Sequence, residues 1–242
     1  MLYDLNVQYN SDLSALKKTI AFLQDLGYTG IAINYGLSGK LPSNLKCPVD
    51  IQALQTAFPS MKILSRVTMT LDDASQHQNL GPLYANFDIV AFRPVTEKAF
   101  QSACTALDVD LISLNVSQRL GFFLRIKTAC AAIERGIKFE ICYGGSVASG
   151  DGRRHVITNA ASIFRACRKR GIVVSSEAIS PLSCRGPADV INLLTVWGLD
   201  HSRANDTIGK NAGSVVKSSC LRKNSYKQTI QTEPRLSKKV KV

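Results

Sequence analysis

Apolar and polar residues along the chain follow two alternating patterns, one typical of short buried strands and the other of amphipathic helices. The first strand-like run ends near Val7 and is followed by apolar residues at helical spacing, at Leu13, Leu16, Ile20 and Leu23. Strands are predicted at 1–7, 30–35, 62–69, 87–92, 111–115, 138–143 and 171–176, and helices at 11–27, 50–58, 72–85, 97–107, 120–135, 153–170 and 186–197. This alternation requires parallel strands joined by crossover helices.

Two architectures are built from such units, a doubly wound open sheet and a (β/α)8-type barrel. A doubly wound nucleotide-binding fold usually carries a glycine-rich turn after its first strand, but residues 8–11 contain no glycine. We therefore predict an α/β fold, a TIM-type (β/α) barrel over residues 1–217. The eighth strand is the weak part of this prediction, because residues 198–200 form a very short run and 207–217 have the pattern of a last helix.

Positive charge is concentrated in the last part of the chain. The 242 residues carry a formal net charge of +12, and residues 203–242 alone contain ten Lys or Arg and two Asp or Glu. Such a balance favours a polyanionic partner, most often nucleic acid, with solubility alone as the alternative. Apolar periodicity is lost after residue 217, so we predict that residues 218–242 form a basic tail that is disordered in isolation.

Several features bear on the cellular compartment. No run of about 18 apolar residues predicts a membrane span, and the first residues lack the pattern of a secretory signal. The seven cysteines show no C-x-x-C spacing, which favours free thiols in a reducing compartment over a disulfide or zinc framework. The Lys/Arg cluster at 234–242 is typical of a nuclear import signal, and a solvated RNA-binding segment is the alternative.

Two polar residues share one face of the first strand. Alternate residues of a strand point the same way, so Asp4 and Asn6 lie together. The active sites of such barrels lie at the carboxyl ends of the strands. The polar residues expected there are Asp4, Asn6, Asn34, Arg66, Arg93, Asn115, Tyr143 and the run 175–177. They either line a site or form a hydrogen-bonded interior in which Arg66 or Arg93 compensates the carboxylates.

A hydrolytic metal site would need several His, Asp or Glu side chains that converge. The chain has only three histidines, and the one set worth testing is Asp4, Glu177, Asp200 and His201, provided that the barrel brings them together. We therefore predict no catalytic residue, no metal and no cofactor for this chain. A metal-dependent phosphoesterase remains the alternative function.

Basic residues give the stronger functional indication. On the predicted helix 153–170, Arg154, Arg165, Arg168 and Lys169 fall within about 100° of arc at 3.6 residues per turn. The predicted RNA-binding residues are Arg119, Arg125, Arg153, Arg154, Arg165, Arg168, Lys169, Lys210, Arg222 and Lys223. Such residues contact phosphates without reading sequence; the alternative is that the dipole favours cations at a helix carboxyl end. Aromatic residues make up only 7% of the chain, so we expect recognition of RNA shape and backbone rather than of unstacked bases.

An ordered set of stretches resembles the thirty-kilodalton protein subunit family of ribonuclease P and ribonuclease MRP. The stretches are DLNV at 4–7, LGYTGIAIN at 26–34, SRVT at 65–68, FDIVA at 87–91, LDVDLI at 107–112, GIVVSSEA at 171–178 and RGPADVINL at 185–193. The tail lies outside the resemblance and is most similar to the extensions of fungal or other eukaryotic members.

The resemblance implies a barrel related to a superfamily of metal-dependent phosphoesterases. Those relatives carry His-x-His at the end of the first strand, where Asp4-Leu5-Asn6 stands in this chain and removes two imidazole ligands. It implies a non-catalytic subunit of a ribonucleoprotein whose RNA carries the reaction. That reaction is 5′ maturation of precursor tRNA or, in the MRP particle, cleavage of precursor ribosomal RNA.

The resemblance also implies partners and a location. The expected partners are ribonuclease P RNA, ribonuclease MRP RNA, precursor tRNA indirectly, and a small ferredoxin-like subunit among the other proteins of the particle. The expected location is the nucleus and nucleolus. An assembly scaffold whose main contacts are to proteins is a third hypothesis.

Overall fold

Seven parallel strands form the centre of the molecule. A computed structural model of the protein describes residues 1–39, 45–72, 80–226 and 230–231. The strands are β1 (Tyr3–Gln8), β2 (Gly30–Ser38), β3 (Lys62–Leu71), β4 (Ile89–Pro94), β5 (Leu111–Ser113), β6 (Lys138–Cys142) and β7 (Ile172–Ser175). They pair in chain order, each parallel to the next, so every connection is a crossover. The predicted parallel α/β architecture is confirmed.

The sheet closes between its first and last strands. Val7 and Ala178 form a parallel bridge, and the amide of Gln8 donates to the carbonyl of Ala178 at 2.9 Å. The predicted TIM-type barrel is therefore confirmed, but with seven strands in the described part of the chain rather than eight. Residues 198–200, considered for the eighth strand, do not form a strand. Gly198 has a φ of +104°, and the Leu199 amide bonds back to Leu194 at 3.0 Å.

Helices cover the outside of the barrel. They are α1 (Leu13–Asp25), α2 (Ile51–Ala57), α3 (Gly81–Asn86), α4 (Glu97–Thr105), α5 (Ile126–Glu134), α6 (Gly144–Ala148), α7 (Gly150–Ala166), α8 (Pro187–Val196), α9 (His201–Asp206) and α10 (Ala212–Asn224). A short 3-10 helix spans Pro181–Ser183, and a π-helical turn, Thr207–Asn211, joins α9 to α10. None of the helices in the described ranges has both the length and the apolar character needed to cross a membrane.

Three predicted helices differ from those observed. Helix α5 begins at Ile126 instead of 120, because Asn159 of α7 holds the preceding loop through hydrogen bonds to the carbonyls of Val116 and Gln118. The predicted helix 153–170 corresponds to α7, which begins at Gly150 and ends at Ala166. The Ser149 hydroxyl caps its first turn, and after its last turn Arg168 adopts a φ of +50°. The predicted helix 72–85 corresponds to α3 only in part, and residues 73–79 lie outside the described ranges.

The carboxyl-terminal helices close the amino end of the barrel. Helix α10 packs Val215 and Val216 against Tyr3 and Leu5 of β1 in one apolar cluster. The same helix corrects the predicted boundary at residue 217, because it continues to Asn224. Alternating small and polar residues hide its apolar periodicity. Beyond it, Ser225–Tyr226 pairs antiparallel with Ile230–Gln231, and the rest of the predicted tail, 227–229 and 232–242, lies outside the described residues.

Candidate nucleic-acid interface

The centre of the barrel is occupied by one buried ion pair. The guanidinium of Arg66 on β3 and the carboxylate of Glu140 on β6 are joined twice, Nη1 to Oε1 and Nη2 to Oε2, both at 2.5 Å. Both side chains have no solvent-exposed surface. Burial alone would raise the pKa of Glu140, but the charge and hydrogen bonds of Arg66 lower it to about 2. The pair is therefore ionised and fully desolvated.

Neighbouring polar groups satisfy the pair. The hydroxyl of Ser175 donates to Glu140 Oε1 at 2.7 Å, and Asn6 Nδ2 donates to Oε2 at 3.4 Å. Arg66 Nη1 also donates to the carbonyl of Leu5 at 2.6 Å. The predicted hydrogen-bonded interior is thus confirmed. Its central carboxylate, Glu140, was missed by sequence reasoning, although a charged residue inside the apolar run 138–143 was the available signal.

Asp4 lies at the closing seam rather than in the central pair. Its Oδ1 accepts from the amides of Asn6 at 3.2 Å and Ser176 at 3.1 Å. Among the described residues, Oδ2 has no hydrogen-bond partner. Burial raises the pKa of Asp4, and the amides of Ser176 and Asn6 offset this only in part. Asp4 therefore fastens β1 to the residues that follow β7.

The four candidate metal ligands do not converge. Glu177 follows β7 at the carboxyl end of the barrel, and Arg93 Nη2 donates to its Oε1 at 2.7 Å. Asp200 lies at the amino end, where it pairs with Lys169 at 3.4 Å in the turn that precedes β7. His201 begins α9 at that same end. Within the described ranges, no group of three or more His, Cys, Asp or Glu side chains is arranged to hold a metal ion. The geometry contradicts the proposed phosphoesterase grouping.

Helix α7 carries exposed cations along its length. Arg153 and Arg154 lie in its first turns, where Arg153 Nε donates to the Ser146 carbonyl at 3.1 Å and Arg154 approaches Asp151 only to 3.9 Å. Arg165 lies in its last turn, and Arg168 follows it. Arg165, Arg168 and Lys169 line one hollow of about 470 Å³ beside Trp197. The structure thus brings these three predicted residues together, and Arg153 and Arg154 lie at the other end of the helix.

A second hollow adjoins α7. Arg119 and Arg165 line a space of about 360 Å³ together with Phe123 and Ile126. Arg125 is exposed next to it and pairs with Glu97 at 3.0 Å. We call the cations on and beside this helix the α7 basic surface; it comprises the exposed Arg119, Arg125, Arg153, Arg154, Arg165 and Arg168 and the half-buried Lys169. Surface ion pairs of this kind contribute at most about 1 kcal/mol, so they can yield to a phosphate.

The last three predicted RNA-binding residues lie outside the α7 basic surface, on the carboxyl-terminal helices. Lys210 is in the π-helical turn, at a groove of about 1050 Å³ that it shares with Lys62 and Lys217. Arg222 is not free for a phosphate, since its almost fully buried guanidinium donates to Asp110 Oδ2 at 2.6 Å and lies 4.6 Å from the ring centre of Tyr84. This corrects its assignment to a disordered RNA-binding tail.

Lys223 also lies on α10. It is half-exposed and pairs with Asp88 at 2.7 Å. The two α10 cations therefore hold the helix to residues that precede β4 and β5. Sequence spacing could not show this, because both aspartates are more than a hundred residues away.

Comparison with known proteins agrees with the resemblance noted in the sequence. The family described as RNase P subunit p30 matches residues 1–224, so the match ends where α10 ends. A solved chain in a cryo-EM structure of archaeal ribonuclease P with mature tRNA shares the fold. Its TM-score is 0.74 at 15% identity, over 97% of this chain and 99% of that one.

Three curated relatives cover most of the chain. The "Probable ribonuclease P protein subunit 3" of Schizosaccharomyces pombe is 38% identical over 95% of this chain and 98% of its own length. The "Ribonuclease P/MRP protein subunit RPP1" of Saccharomyces cerevisiae is 38% identical over 96% and 85%. The "Ribonuclease P protein subunit p30" of Mus musculus is 33% identical over 92% and 87%. With its barrel, its buried polar centre and its match across residues 1–224, the chain belongs to the ribonuclease P subunit p30 family.

Proposed function

We propose that this chain is a non-catalytic protein subunit of the ribonuclease P and ribonuclease MRP ribonucleoproteins, in which it binds and stabilises the catalytic RNA. The observation that carries the proposal is the α7 basic surface on a member of this family. Its cations offer a surface suited to phosphates, and the acids paired with them, Glu97, Asp151 and Asp200, are themselves exposed.

The barrel interior supports the non-catalytic part of the proposal. A general acid or base must reach its substrate, whereas Glu140 is sealed inside and already accepts from Arg66 and Ser175. Glu177 is held by Arg93. The polar residues at the barrel centre are therefore used for structure, and the reaction is assigned to the RNA of the particle.

The reactions served are 5′ maturation of precursor tRNA in the ribonuclease P particle and processing of precursor ribosomal RNA in the MRP particle. The direct partners are the RNAs of the two particles, and precursor tRNA is met indirectly. A small ferredoxin-like subunit is the proposed protein partner. Its association should survive nuclease treatment of the purified particle, which an association held only by RNA would not. The proposed location is the nucleus and nucleolus.

Charge reversal tests the surface directly. The double variant Arg154→Glu with Arg168→Glu should weaken binding of the full chain to ribonuclease P RNA and lower the slope of log affinity against log salt by about two. The matched control is Lys17→Glu with Lys18→Glu, an equal charge change on exposed positions of α1. Unchanged affinity and slope in the α7 variant, or equal losses in both variants, would contradict the surface assignment.

A further inference from the structure

One aromatic side chain is presented to solvent beside Arg119 and Arg165 of the α7 basic surface. Phe123 is 76% exposed, in the loop between β5 and α5. Its neighbours point the other way: the ring of Phe122 packs 5.3 Å from that of Phe100, and Leu124 is buried. The loop is thus anchored on both sides of Phe123. The ring is exposed because the backbone turns it outward, not because the segment lacks contacts.

Helix α7 fixes the position of this loop. Asn159, a buried residue of α7, donates through Nδ2 to the carbonyl of Val116 at 2.8 Å and to that of Gln118 at 2.7 Å. These bonds hold the segment before α5 outside the helix, so residues 120–125, which the sequence pattern assigned to that helix, belong to the loop. They hold the loop that carries Phe123 against the helix that carries Arg165, and both residues line the same hollow.

The surroundings of the ring are cationic. Arg119 and Arg165 line the same hollow as Phe123, and Arg125 and Lys127 are exposed beside it. The acid paired within this group is Glu97, at 3.0 Å from Arg125. An aromatic side chain with cations on several sides suits a ligand that carries both a flat apolar face and negative charge.

We propose that Phe123 stacks on an unpaired base of the RNA while Arg119 and Arg165 hold the adjoining phosphates. Stacking on aromatic side chains is how proteins bind splayed bases in single-stranded segments, and it tolerates any base because each has a π face. The inference rests on the proposed function and adds that the bound RNA is single-stranded where it meets this loop. It replaces the expectation, drawn from the low aromatic content, that only RNA shape and backbone are recognised.

The test compares two RNA probes with the full chain. One is an unstructured single strand of about 12 nucleotides, within the range that single-strand sites cover; the other is a perfect duplex of the same length. Phe123→Ala should weaken single-strand binding by roughly 5- to 100-fold, the equivalent of one stacked base, and leave duplex binding within about twofold. The salt slope of both should stay unchanged, since no charge is removed.

Two further variants separate stacking from simple apolar contact. Phe123→Trp should retain single-strand affinity, whereas Phe123→Leu, which keeps apolar surface without a π face, should lose it as Phe123→Ala does. Leu182→Ala is the matched control, because Leu182 is 85% exposed in the 3-10 helix Pro181–Ser183, outside the hollow that Phe123 lines.

Each other outcome overturns the inference. Stacking is refuted if Phe123→Ala leaves the single-strand affinity unchanged or lowers the affinity for both probes equally. It is also refuted if Phe123→Leu binds the single strand like the wild type. In each of these cases the proposed RNA-binding function stands. If the wild-type chain binds neither probe and no ribonuclease P RNA, the proposed function fails first. Since Phe123 is exposed, a folding defect is not expected, and an unchanged urea unfolding midpoint checks this.

Discussion

Arg66 and Glu140 face each other across the centre of the barrel, joined by two hydrogen bonds of 2.5 Å with no solvent contact on either side chain. The pair links β3 to β6, strands that are not neighbours in the sheet. Ser175 and Asn6 complete the coordination of the carboxylate from β7 and β1. Hydrogen bonds at the centre of the barrel thus link four strands, β1, β3, β6 and β7, and we call this set of contacts the cross-brace.

Removing one partner of this pair should be more harmful than removing both. Arg66→Met or Glu140→Gln alone leaves a buried charge without its counterpart and should lower the free energy of unfolding by about 3–5 kcal/mol. The double variant should lose less than either single variant, and therefore less than the sum of the two. Urea unfolding of the four proteins measures the coupling, and strict additivity would contradict the cross-brace.

Acid should weaken the protein through Glu140. Its folded-state pKa of about 2 lies below its ordinary 4.5, so the carboxylate stabilises the fold fully above pH 4.5 and loses this as pH falls towards 2. The difference in unfolding free energy between wild type and Glu140→Gln should therefore grow by about 3 kcal/mol from pH 2 to 4.5. A difference that is constant with pH would argue against an ionised pair.

Asp4 should act in the opposite direction. Burial raises its folded-state pKa above the ordinary 3.8, so the stability that it contributes in its protonated form is lost as pH rises through the folded-state pKa. Compared with Asp4→Asn, the wild type should lose relative stability over that window. The measurement is the same pH series of unfolding curves. A relative gain with rising pH would show a lowered pKa instead.

Glu177 should be dispensable for the chemistry of the particle. It is a carboxylate at the carboxyl end of the barrel, where barrel enzymes keep their catalytic groups, yet Arg93 holds it. Particles assembled with Glu177→Gln should cleave precursor tRNA within about twofold of the wild-type rate, whereas loss of a general acid or base would cost about 10²–10⁴-fold. A loss in the latter range would assign chemistry to this chain.

Arg222 should contribute to stability and not to RNA affinity. Arg222→Ala leaves Asp110 buried without its cation and should lower the free energy of unfolding by about 3 kcal/mol. Lys223→Ala, whose pair with Asp88 is half-exposed, should cost less than about 1 kcal/mol. The salt slope of RNA binding should stay at the wild-type value in Arg222→Ala. A reduced slope with unchanged stability would restore Arg222 to the RNA contacts.

The segment 234–242 should direct nuclear import. Its cluster of Lys and Arg is the sequence feature that indicates this role. Deleting these residues should shift a fluorescently tagged chain from the nucleus to the cytoplasm. Replacing the basic residues of the segment by Gln provides the control for length. Undiminished nuclear accumulation of both variants would assign the segment to RNA contact alone.

The positions of the strands could be predicted from the sequence because parallel strands covered on both faces are mainly apolar, as in the runs 139–143, interrupted by Glu140, and 172–174. The limits of several elements could not. Helix α5 is shortened by the bonds that Asn159 makes to Val116 and Gln118, some forty residues earlier in the chain. The eighth strand fails because Gly198 turns the chain directly from α8 into α9.

By itself the sequence determined the α/β barrel class, the polar face of the first strand and the basic character of α7, because each depends on local period and residue type. Only the tertiary structure decided what the polar groups do. It paired Arg66 with Glu140, tied Arg222 to Asp110, separated Asp200 from Glu177 and set Phe123 among arginines. Such pairings join residues far apart in the chain, and their energies arise from burial and short distances that exist only once the barrel has closed.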